Sequence, residues 1–262
     1  MPKLSASIKT KLPKVGTTIF TKMSALATQE KALNLSQGFP DFDCSPKLTE
    51  LVTKAMNSGR NQYAPMPGLL NLREAIAKKT EDLYTGIYHP ETEITVTAGA
   101  TQAIFTAILA TVAAEDEVIL FTPAYDCYEP AIDLIGAKTV HIELKGPEYR
   151  IDWDNVKKVI NQRTKMIIIN TPHNPTGTIM TAQDMQMLEK LLHGSDILVL
   201  SDEVYEHIIF DGYDHQSVAR FPKLAERSFI ISSFGKTYHT TGWKIGYCLA
   251  PAELMKEFRK VH

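Results

Sequence analysis

Residues 165–205, KMIIINTPHNPTGTIMTAQDMQMLEKLLHGSDILVLSDEVY, decide the fold. The stretch opens on consecutive apolar residues, Met166 to Ile169, and passes through a loop punctuated by Pro172, Pro175 and Gly177. It continues in a helical pattern over 181–192 and returns to a β-rich run at 197–201 that closes on Asp202. Unbroken apolar runs of this length suit strands buried on both faces, and strand–helix–strand in that order suits a parallel pair. The same alternation extends outward. Strands are expected at 94–97, 118–121, 138–142, 228–233 and 243–249, with helical patterns at 47–57, 69–84, 100–113, 125–135 and after Pro251. Asp152 suits the N-cap of a helix reaching about Asn161, since its carboxylate can accept from freed amides. The connection between the last two strands is only about ten residues, too short for a crossover helix, so that pair is expected to run antiparallel. The reading is an α/β, three-layer sandwich with a mostly parallel sheet. Residues 1–45 are loop-rich, with Gly16, Gly38, Pro40 and Asp41, and read as an N-terminal arm; residues 46–262 read as one large domain.

Composition removes several function classes. The chain has 262 residues, 44% of them hydrophobic and 22% charged, with 28 Lys+Arg against 30 Asp+Glu and a net charge of -2. That balance lacks the basic footprint of a nucleic-acid partner and the polybasic patch of a membrane-surface protein, and no apolar run is long enough to span a bilayer. Cys44, Cys127 and Cys248 are far apart and form no C-x-x-C, which argues against a disulfide framework and against a metal site, and fits a reducing cytoplasm. The N-terminus, MPKLSASIKTKLPKVG, is basic but has no apolar signal-peptide core, so a plain arm is expected.

Open α/β sheets place ligands at the carboxyl ends of their strands. The residues just after the expected strands are Ala98-Gly99-Ala100-Thr101, Thr122-Pro123-Ala124-Tyr125, Thr171-Pro172-His173-Asn174-Pro175, Asp202-Glu203-Val204-Tyr205 and Phe234-Gly235-Lys236-Thr237. Glycine, aromatic, amide, acid, phenol and lysine at one rim suit a flat, anionic, nitrogen-containing ligand. Gly235-Lys236-Thr237 is not a nucleotide phosphate loop, because the required glycine five positions before the Gly-Lys pair is Ile230. Lys236 is instead either a solvated surface group or a Schiff-base lysine whose amine is freed by desolvation. Asp202 either caps a following helix or keeps a pyridine nitrogen protonated so that the ring acts as an electron sink. Tyr205, three residues on and expected on the same side of a helical turn, can bond a ring oxygen, as can Asn174 in what reads as a rigid, extended loop. Gly99-Ala100-Thr101 opens a helix where amides can bind phosphate, with Ser233 and Lys244 bracketing Lys236, and Tyr125 can stack on a ring.

Together these motifs closely resemble the fold-type I pyridoxal-phosphate aminotransferases of class I/II. The family's lysine signature reads here as Ser233-Phe234-Gly235-Lys236, then Gly242-Trp243-Lys244-Ile245-Gly246; NLSQGFPD at 34–41 and NQYAPMPG at 61–68 also look familial. The resemblance implies pyridoxal 5'-phosphate as cofactor, the large domain of that fold, and transfer of an amino group between an amino acid and a 2-oxo acid. By it, Lys236 bonds the cofactor and moves the Cα proton, and Asp202 pairs with the ring nitrogen. Asn174 and Tyr205 hold the ring oxygen, and Tyr125 stacks. Gly99, Ala100, Thr101, Ser233 and Lys244 form the phosphate site. Gly38 and Asn174 face the substrate, and Tyr63 reaches the neighbouring site of a homodimer.

Lys244 stands where much of the superfamily has arginine, replacing a bidentate fork with a point charge. The branch resembling methionine and kynurenine–glutamine aminotransferases carries lysine there, which implies methionine, aromatic or similar amino acids as substrates. The family also places a carboxylate-binding arginine in a C-terminal small domain. That domain is expected to be missing here, since the chain ends at His262 inside a helical pattern and its last arginine, Arg259, is out of motif. Two further readings stay open at this point: a C–S β-lyase using the same cofactor, and a cofactor-binding fragment with little turnover.

Overall fold

The structure, a computed structural model, describes residues 6–38 and 40–262. Contacts divide the chain into two compact units, Met1–Asp41 and Phe42–His262. The first holds a helix, α1 (Ile19–Gln29), where only loop was expected. Thr18 caps it by accepting from the Thr21 amide, and Gly16 and Gly38 flank the helix rather than interrupt it. Phe39, inside the 34–41 motif, and residues 1–5 of the expected arm lie outside the described residues.

The second unit is built on β1 (Ile94–Thr97), β2 (Glu117–Thr122), β3 (Lys138–Glu143), β4 (Thr164–Asn170), β5 (Leu198–Asp202), β6 (Ser228–Ser233) and β7 (Gly246–Leu249). Among the described residues they form one sheet in the order β1-β7-β6-β5-β4-β2-β3. β2, β3, β4, β5 and β6 pair in parallel, while β7 runs antiparallel to both β6 and β1. The expected antiparallel pair is therefore β6 and β7. β7 starts at Gly246 rather than at 243, because residues 241–243 form a 3-10 turn and Lys244 adopts φ 56, ψ 47, which takes the backbone out of strand geometry.

The helices are α2 (Pro46–Asn57), α3 (Leu70–Tyr84), α4 (Ala100–Thr111), α5 (Tyr128–Leu134), α6 (Trp153–Val159), α7 (Ala182–Leu192), α8 (Pro222–Ala225), α9 (Phe234–Thr237) and α10 (Ala252–Val261). Asp152 caps α6 as expected, accepting from the Asn155 amide, and Thr181 with Asp184 forms a capping box at α7. The strand period of two sends alternate side chains to opposite cores. Ile119, Ile167, Val199 and Ile230 join Ile76 of α3, Met185 and Leu188 of α7 and Leu224 of α8. Val118, Ile168, Leu200 and Phe229 join Ile104 and Ile108 of α4, Ile132 of α5 and Phe258 of α10. That is the three-layer sandwich. Each fully buried Ile or Leu in it contributes about 1.5–3 kcal/mol of transfer free energy, which holds the carboxyl ends of β2, β4, β5 and β6 in one row.

Candidate active site

Asp202 ends β5 and is buried. Its Oδ2 accepts from the Tyr128 hydroxyl at 2.6 Å and its Oδ1 from the Val204 amide at 3.2 Å. Burial pushes its carboxyl up to about 6, against the pull of those two hydrogen bonds and of the Lys236 cation. It makes no ion pair among the described residues. No helix follows it. Residues 203–208 instead form turns, with the Glu206 amide donating to Glu203 O at 3.0 Å and the Ile208 amide to Tyr205 O at 2.7 Å. The cap reading of Asp202 and the helical placement of Tyr205 are both corrected by this turn.

Three other expected residues gather at Asp202. Burial, then the Asp202 charge, pushes the Tyr205 phenol up, and hydrogen bonding with the Asn174 side chain pulls the other way. The Lys236 Nζ sits 5.5 Å from the Tyr205 ring centroid. Burial first and the neighbouring Lys244 cation second push the Lys236 ammonium down, toward the free amine. The Asn174 loop is folded back rather than extended. The His173 amide donates to Thr178 O and the Gly177 amide to His173 O, both at 2.8 Å, and the Thr171–Pro172 and Asn174–Pro175 bonds are cis.

The far side of the site is built on the start of α4. Gly99 is its N-cap at φ 84. Gly246 is required opposite it: a Cβ there would lie 2.6 Å from the Ala100 amide nitrogen and 3.0 Å from Ser232 O. Only glycine lets β7 come this close to the Gly99–Ala100 peptide. A built Cβ on Gly99 would lie 3.8 Å from the Lys244 backbone, so Lys244 and the helix start are neighbours. Ser233 ends β6 and leads into α9, which carries Lys236. Burial, with Cys127 and Asp126, pushes the Tyr125 phenol up while a hydrogen bond with Thr101 opposes it, and its ring meets Tyr128 edge-on at 5.9 Å.

Two expected residues stand apart in exposure from the buried members of this cluster. Tyr63 is wholly exposed between α2 and α3, and Gly38 is an exposed residue of the first unit. Arg259 is committed elsewhere: its Nε donates to Thr95 Oγ1 at 2.9 Å, and its Nη1 and Nη2 to Glu91 O and Ile94 O, both at 2.8 Å, clamping α10 to β1.

Sequence reasoning missed two members of the cluster. Tyr128 supplies the shortest hydrogen bond to Asp202, and its only signal was a second tyrosine three residues after Tyr125. Asn170 braces the loop, donating from Nδ2 to Asp202 O at 2.9 Å and accepting from the Asn174 amide at 2.8 Å. It stood inside the quoted motif without a role.

This donor set fits a phosphorylated pyridine aldehyde. A buried carboxylate with a raised pKa and no ion pair among the described residues suits a protonated ring nitrogen. The glycine-lined helix start beside a lysine suits a phosphate. An amine pushed toward its neutral form suits attack on a carbonyl.

Known proteins similar to this chain are aminotransferases. The family described as aminotransferase class I and II matches residues 30–262. The methionine aminotransferase of Escherichia coli (strain K12) is 52% identical over 254 residues, covering 97% of this chain and 66% of that protein. A probable N-succinyldiaminopimelate aminotransferase of Mycobacterium tuberculosis (strain H37Rv) is 43% identical over 245 residues, covering 93% and 62%. The chain thus spans just under two thirds of the length of these curated relatives. Among solved structures, an Escherichia coli protein described as having methionine aminotransferase function superposes at TM-score 0.95 with 51% identity, covering 98% of this chain and 67% of that one. The Mycobacterium tuberculosis N-succinyldiaminopimelate aminotransferase superposes at 0.93 with 41% identity, covering 97% and 67%.

Proposed function

The chain belongs to the class I and II aminotransferases, and from that premise we propose that it is a pyridoxal 5'-phosphate-dependent transaminase moving an amino group from an amino acid to a 2-oxo acid. The observation that carries the reading is the buried Asp202 carboxylate, without an ion pair among the described residues, sharing one cluster with Lys236, Tyr205 and Asn174. When bound, the cofactor supplies an electron sink for the pair left at Cα when its proton departs. The remaining work falls to this chain. Asp202 holds a proton on the ring nitrogen, and Tyr128 and the Val204 amide fix the carboxylate that does so. Lys236 offers its amine as the nucleophile and takes and returns the Cα proton, a role that a pKa lowered by burial and by the Lys244 charge favours. Asn174 and Tyr205 donate to the ring oxygen. Gly99, Ala100 and Thr101 present amides to the phosphate, Ser233 a hydroxyl and Lys244 a charge. Tyr125 covers one ring face.

The substrate reading, methionine or a similarly bulky neutral amino acid, is supported by the 52% identity to a methionine aminotransferase. The wholly exposed Tyr63 supports a homodimer in which it serves the neighbouring site, and the familial motif at 34–41 supports Gly38 as a substrate-binding residue. The three free cysteines support a reducing, cytoplasmic setting; no helix among the described residues is long and apolar enough to cross a membrane.

The test is direct. Titrating the protein with pyridoxal 5'-phosphate should produce a visible absorbance band, borohydride should fix the cofactor to Lys236, and Lys236→Ala should abolish both. A borohydride-fixed adduct retained by Lys236→Ala would overturn the assignment. Pyruvate and ammonia released from a cysteine conjugate without a 2-oxo acid would mark a β-lyase instead.

A further inference from the structure

Behind Tyr205 lies a buried polar cluster that the proposed chemistry does not use. Glu206 is 5% exposed and accepts four hydrogen bonds. Its Oε2 receives Lys79 Nζ and the Tyr84 hydroxyl, both at 2.6 Å; its Oε1 receives the Ser232 hydroxyl at 2.7 Å and the Tyr247 hydroxyl at 3.2 Å. Lys79 also donates to the Tyr247 hydroxyl at 2.9 Å and lies 5.3 Å and 5.5 Å from the Tyr84 and Tyr247 ring centroids. The ion pair joins residues 127 positions apart.

Simple stabilisation explains this arrangement poorly. Taking an ion pair out of water costs several kcal/mol per charge, and an apolar replacement of equal volume is often as stable. The cluster's location supplies a second reason. Glu206 directly follows Tyr205 in the 203–208 turns, which have no helix to stiffen them. On the other side, Glu203 is held by the Ser201 hydroxyl at 2.8 Å, the Val218 amide at 3.0 Å and His215 Nε2 at 2.9 Å. Tyr205 is thus bracketed by two anchored carboxylates. The donors to Glu206 also lie next to site residues. Ser232 precedes Ser233, Tyr247 follows Gly246, and the Tyr247 ring lies 5.3 Å from that of Phe234, two residues before Lys236.

We propose that the Lys79–Glu206 ion pair is a positioning device: it fixes the turn that presents Tyr205 to Asn174 and Lys236, making Lys79 of α3 a positioning residue for a site it does not touch. The pair acts through Tyr205. Its consequence for cofactor affinity rests on the proposed function, whereas the positioning of the phenol does not, and the experiment separates them.

Tyrosines labelled at Cζ report the phenol environment by NMR in the ligand-free protein, with the signals of Tyr84, Tyr205 and Tyr247 assigned by the three Tyr→Phe variants. Lys79→Met should move the Tyr205 signal as well as those of its direct contacts, and Lys79→Arg should restore it. Movement of Tyr84 and Tyr247 with Tyr205 unmoved would overturn the proposal. Should Lys79→Met fail to fold, Tyr84→Phe removes one donor from the same carboxylate and carries the same prediction for the Tyr205 signal. Pyridoxal 5'-phosphate affinity gives the second readout. Lys79→Met should weaken it about tenfold in the parent protein but less than about twofold in the Tyr205→Phe background. An equal loss in both backgrounds means that Lys79 does not act through Tyr205. If the parent protein itself fails to bind the cofactor, the functional reading falls and the NMR result alone decides the positioning.

Discussion

Asp202 and Glu206 are both buried carboxylates, four residues apart in the chain, and their surroundings drive them in opposite directions. Burial pushes both up. At Glu206 the Lys79 cation and hydrogen bonds from Lys79, Tyr84 and Ser232 outweigh it and hold the carboxyl at about 2. At Asp202 only Tyr128 and the Val204 amide donate, burial wins, and the carboxyl rises to about 6. Glu206 is an anion complete within the protein. Asp202 makes no ion pair among the described residues, the Lys236 charge pulling on it only weakly, and the proposed cofactor's protonated ring would be its partner. The difference separates a residue that organises the site from one that uses it, although one acid ends β5 and the other stands in the turn that follows it.

The largest effect that can break this contrast is on ligand binding. Asp202→Ala should weaken pyridoxal 5'-phosphate binding by about 2–5 kcal/mol, the cost of removing one partner of a buried charge pair. Glu206→Gln should cost far less, because it changes only the support of the turn. Equilibrium dialysis of both variants checks the order, and equal losses would erase the distinction.

The next effect is on stability in acid. The folded pKa of Glu206 is depressed from 4.5 to about 2, so its contribution is fully present above pH 4.5 and is lost as pH falls toward 2. A shift of that size corresponds to about 3 kcal/mol. Glu206→Gln should therefore be less stable than the parent at pH 6, and the gap should close between pH 4.5 and 2 in denaturant titrations. A gap independent of pH would assign the loss to hydrogen bonding alone.

These two acids also mark how far the sequence could be read. The sandwich was legible because consecutive apolar residues announce strands buried on both faces, and the short connection between 233 and 243 announced the antiparallel pair. Asp202, Asn174, Tyr205 and Lys236 were legible because each closes a strand or its loop. Lys79 and Glu206 were not, since their meaning arises from a contact spanning 127 positions and neither stands in a local pattern. The start of β7 was misplaced because Trp243 and Ile245 look like strand residues, while the left-handed backbone at Lys244 is a tertiary outcome. Helix α1 was overlooked because turn-forming residues on both sides made the whole segment look like loop.

The smallest predicted effect carries the opposite sign. The folded pKa of Asp202 is raised, so between about pH 4 and 6 the native state holds a proton that the unfolded chain has released. Stability therefore falls as pH rises through that window, and above it the ligand-free protein carries a penalty of up to about 3 kcal/mol. Asp202→Asn removes the charge and keeps an acceptor for the Tyr128 hydroxyl or the Val204 amide, but it also adds an amide that needs a partner. The net expectation is a gain of about 1–2 kcal/mol at pH 7.5 that shrinks toward zero below pH 4. Pyridoxal 5'-phosphate should reverse the ranking, stabilising the parent protein more than the variant, because only the parent has an anion to pair with the ring. A ligand-free Asp202→Asn protein less stable than the parent at pH 7.5 would mean that the site is already electrostatically complete, and the contrast with Glu206 would fail.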